Sequence, residues 1–135
     1  MDIDWPAEFG RWLDHLEERA KKGDGHAQKV LIFVARALDQ LRNLTAAPGR
    51  ETETATLKWV RQSQRYVVWR VSHAYHPGVA VRLICWFPPN RNTVVVALFA
   101  GDKAPIGGVF YNSVGSRADA LIDQWKREVE REEKL

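Results

Sequence analysis

The 135 residues carry 20 Lys and Arg against 17 Asp and Glu, a net charge of +3, with 45% hydrophobic and 27% charged residues. These proportions describe an ordinary globular chain of one domain, long enough to bury a real core, and exclude disordered and fibrous classes. The longest apolar runs, such as Val94 to Ala100, are too short to cross a bilayer, so no membrane partner is expected.

The N-terminal MDIDWPAEF is acidic and has no basic segment followed by an apolar one, so no secretory signal is expected. Asp4 is placed to cap a first helix, with Pro6 in its first turn. Phe9, Trp12, Leu13, Leu16 and Ala20 recur at helical spacing, and Gly23 ends the run. A second helix from about Gly25 carries Val30, Leu31, Val34, Leu38 and Leu41 on one stripe. The short connection makes residues 1–44 a helical hairpin. Residues 45–56, TAAPGRETETAT, read as a loop.

Four strands are expected between residues 57 and 103. Leu57 to Gln62 is the first. Tyr66 to Tyr75 is the second, with Val67, Trp69 and Val71 on one face and Val68, Arg70 and Ser72 on the other. After a His76-Pro77-Gly78 turn, Val79 to Phe87 forms the third, in which Arg82 interrupts an apolar pattern. Cys85 lies in that strand, and a lone cysteine allows neither a disulfide nor a cysteine metal site, so a reducing cytoplasm fits. Thr93 to Gly101 is the fourth, apolar enough to be covered on both faces. A last helix is expected over 116–130, with Ser116 and Asp119 at capping-box spacing and Ala118, Leu121, Ile122, Trp125 and Val129 on its apolar stripe. The order implies an α+β fold: two N-terminal helices, an antiparallel four-stranded sheet and a C-terminal helix, in a single domain.

Charge is unevenly spread. Between Lys58 and Lys103 there are seven Lys or Arg and one acid, Asp102, whereas the stretch from Asp119 to Leu135 is close to neutral. A basic sheet is the electrostatic footprint of a phosphate or nucleic-acid binder. Burying the Arg82 cation is costly unless an anion meets it. No phosphate loop, dinucleotide fingerprint, HExxH or GxSxG is present, and the four His have no metal-ligand spacing, so neither metal nor cofactor is expected. The remaining chemistry lies in Arg65, Arg70, His73, His76, Arg82, Lys103 and Tyr111, with Trp86 on the face of Arg82 as a surface for base stacking or as a core residue. RNA cleavage without metal needs a base for the 2′-hydroxyl, cations for the phosphorane and an acid for the leaving oxygen; Arg, Lys, His and Tyr can supply all three.

The segments VVWRVSH, VAVRLICWF and VVVALFAGDKAPIGGVFYNSV together resemble the RelE/ParE toxin superfamily, and most of all the HigB branch with its phage relatives. The resemblance covers about residues 57 to 125 and rests on Arg70 in VWRV, Arg82 in VRLICWF, Lys103 in ALFAGDK and Tyr111 in VFYNSV. It implies a toxin of a type II toxin–antitoxin pair: a metal-independent, ribosome-dependent mRNA endonuclease that inhibits translation and is held in check by a cognate antitoxin. On that likeness Arg82 neutralises the scissile phosphate, Lys103 assists, Tyr111 orients substrate or moves a proton, Arg70 adds a phosphate contact, and His73 or His76 is the acid or base. A longer HAYHPG turn and an APIGG segment after Lys103 depart from the family pattern and leave acid and base unassigned. The alternative is a non-catalytic binder in the same fold, a gyrase inhibitor or an inactive phage adaptor, since fold does not fix function.

Overall fold

A computed structural model describes residues 1–60, 65–72, 82–89, 91–97 and 107–134, by backbone alone at 97 and over 107–116. The chain forms β1 (Asp2–Asp4), α1 (Ala7–Lys21), α2 (Gly25–Arg42), a 3-10 turn at Arg50–Thr52, β2 (Leu57–Trp59), β3 (Val68–Ser72), β4 (Arg82–Trp86), β5 (Thr93–Ala97) and α3 (Gly107–Glu133). The hairpin of α1 and α2 turns at Gly23, whose φ of 97° is open to glycine and strained for other residues. Asp24 then caps α2 by accepting from the Ala27 amide at 3.0 Å. That amide, and next the Arg19 guanidinium, hold its carboxyl below the usual range.

The five strands form one sheet in the order β1-β5-β4-β3-β2. Three pairings are antiparallel, but β1 runs parallel to β5, with Ile3 opposite Val94. The expected antiparallel four-stranded sheet is therefore corrected to a mixed five-stranded one. Asp4, expected to cap the first helix, closes β1 instead, and Pro6 takes the N-cap position. The extra strand is short and bears Asp at two of its three positions. It is held by ladder bonds and by Ile3 against the core, which an apolar alternation does not reveal.

Register assigns every strand residue to a face. Leu57, Trp69, Val71, Leu83, Cys85, Val94 and Val96 meet Phe9, Leu16, Val30, Val34 and Leu41 of the hairpin in one core. Val60, Val68, Ile84, Trp86 and Val95 meet Ala118, Ile122 and Trp125 of α3 in a second. β5 is thus covered on both faces, as its apolar run requires. The last helix begins at Gly107 rather than near residue 116, and Asp119 serves not as a capping partner but as acceptor for the Arg65 amide at 3.3 Å.

Candidate functional site

On the face that meets α3, the two ends of the sheet differ in chemistry. Val68 lies opposite Trp86 and Trp86 opposite Val95, which makes the apolar end. Further along, Arg70 lies opposite Lys58 on one side and Ile84 on the other, and Ser72 lies opposite Arg82. Directly opposed residues in an antiparallel pair share a face, so Lys58, Arg70 and Arg82 project from the same side of three adjacent strands. Opposed Cβ atoms stand about 5 Å apart and diagonal ones about 7 Å, within reach of one another for such long side chains. Lys58 is exposed, while Arg70 and Arg82 are half-buried. Three cations on one side of adjacent strands make this end of the sheet basic.

The expected site residues divide into two groups. Arg70 and Arg82 come together, as convergence on one face requires. Arg65 and Trp86 lie at the opposite end, because β3 carries the chain from Val68 to Ser72, about 13 Å at the usual rise per residue. Arg65 forms an ion pair with Asp123 of α3, its second guanidinium nitrogen at 3.1 Å from Oδ1. Trp86 is 8% exposed and packs in the second core. Its ring centroid lies 5.1 Å from that of Tyr66 and 6.0 Å from that of Trp125, with the Lys126 ammonium 5.3 Å away. His73, His76 and Lys103 lie outside the described residues, and Tyr111 is placed on α3 by its backbone alone.

Lys58 was not legible as a site residue. In the sequence it is one polar position in a short LKW strand, and only its register opposite Arg70 gives it a role. Cys85 is fully buried among apolar side chains, and loss of hydration pushes its thiol far above the ordinary range, so it packs as a small hydrophobe. Among the described residues no three of His, Cys, Asp and Glu are grouped to hold a metal ion, and no helix is long and apolar enough to cross a membrane. An open groove of about 460 Å³, lined by Trp12, His15, Leu16, Glu18, Arg19 and Lys22, follows α1 on the other side of the sheet. Its charges are internally matched, Lys22 with Glu18 at 3.1 Å and Arg19 with Asp24 at 3.1 Å. Comparison of the chain with family models, with curated proteins and with solved structures finds no match.

Proposed function

We propose that the cationic end of the sheet binds the phosphate backbone of mRNA, and that the chain is a toxin-type endoribonuclease acting on ribosome-bound message. The observation that carries this reading is the register that sets Arg70 and Arg82 on one face, with Lys58 beside them. In the proposed reaction a base takes the proton of the RNA 2′-hydroxyl, its oxygen attacks the adjacent phosphorus and negative charge builds on the phosphorane; the bond to the 5′-oxygen then breaks as an acid protonates that oxygen, leaving a 2′,3′-cyclic phosphate. Guanidinium groups fixed on strands stabilise that charge without reorganising, which is the largest contribution such a site makes. Arg82 takes the scissile phosphate and Arg70 a neighbouring oxygen. Base and acid fall to His73, His76, Lys103 and Tyr111, whose side chains can exchange protons at neutral pH or hold them in place. The proposal includes an antitoxin partner and action in the cytoplasm.

Induced expression in a bacterial host is expected to arrest growth, and primer extension on mRNA from a translation extract to show new ribosome-dependent 5′ ends. Arg82→Ala is expected to lower cleavage by about 10²-fold, the usual cost of removing one charge-stabilising group, with an unchanged melting profile. Arrest with intact message would point to a non-catalytic binder of the gyrase-inhibitor or adaptor kind. A folded Arg82→Ala variant that cuts as fast as the wild type would remove Arg82 from the site.

A further inference from the structure

We draw no further inference here: the strongest candidate, the open groove along α1 lined by Trp12, His15, Leu16, Glu18, Arg19 and Lys22, has its charges matched within the chain, and nothing in the structure shows what covers it.

Discussion

At the residue scale, Asp123 of α3 ties that helix to the residues that lead into β3. The Tyr66 hydroxyl donates to its Oδ1 at 2.5 Å, the Arg65 guanidinium pairs with both oxygens, and the Lys126 ammonium lies 4.5 Å from the Tyr66 ring centroid. The Tyr66 hydrogen bond, then Arg65, holds the Asp123 carboxyl below its ordinary value of 3.8. A carboxylate whose pKa is depressed by folding adds stability above its unfolded pKa, and that stability is lost as pH falls through the folded pKa. Tyr66→Phe is therefore expected to cost about 1 kcal/mol at neutral pH, one hydrogen bond to a charged group reduced by partial exposure. The gap between variant and wild type should close only below pH 3.8, as Asp123 takes up its proton. Melting curves on both sides of that value check this, and a gap that stays constant in acid would show that the carboxylate is not the partner that matters. Arg65, read from sequence as a substrate contact, belongs to this anchor for α3, and nothing in its local sequence separates the two roles. Arg82 stands out in the sequence as a charge inside an apolar strand, whereas the face that it shares with Arg70 depends on strand register.

At the scale of elements, the two sheet edges show how short strands are protected. β2 is only three residues long and carries Lys58 at its centre. The chain preceding it folds back over the outer side: Leu57 N–H donates to Thr54 Oγ1 at 3.0 Å and Thr54 N–H to Leu57 O at 2.9 Å. Trp59 N–H donates to Glu53 Oε1 at 2.9 Å. Segment 53–54 thus occupies the groups with which another strand would pair. Replacing both side chains, Glu53→Ala with Thr54→Val, is expected to produce concentration-dependent association in sedimentation velocity and a loss of about 1–2 kcal/mol. Sedimentation identical to the wild type would mean that the fold-back does not guard the edge. At the far edge β1 carries Asp2 and Asp4, with Pro6 soon after. Those charges hid the strand from pattern reading, and the register slot beside β5 that gives Ile3 its burial is non-local information. The start of α3 was hidden for another reason. Gly107, Gly108 and Gly115 signal a loop, yet Phe110, Val114, Ala118, Ile122, Trp125 and Val129 continue one helical stripe through them. The α1–α2 hairpin, by contrast, was legible because its periodicity, Gly23 and the short connection all agree.

At the scale of the whole molecule, the sheet is covered on both faces, and the same strands serve both cores. Val94 and Val96 point into the core beneath the helical hairpin and Val95 into the core beneath α3, so one strand of five residues belongs to both. Bonds outside the cores join the same layers: Trp125 Nε1 donates to Asp4 Oδ2 at 2.8 Å, and Glu128 accepts from the Ala7 amide at 3.3 Å, at the N-terminus of α1. A cationic row laid across three strands keeps its geometry only if the layer behind and the helix in front hold the pleat fixed. The molecule should therefore unfold as one unit. Phe9 on the hairpin side and Ile122 on the α3 side are both fully buried. Phe9→Ala is expected to cost about 3–5 kcal/mol and Ile122→Ala about 2–5 kcal/mol, from lost burial and the cavity left behind. Each should lower a single denaturation midpoint shared by both cores. Amide hydrogen exchange in Ile122→Ala distinguishes this from a loosely docked helix: α3 and the α1–α2 hairpin should lose protection together, by the same free energy. Loss confined to α3, with α1, α2 and the strands as protected as in the wild type, would mean that the helix opens on its own.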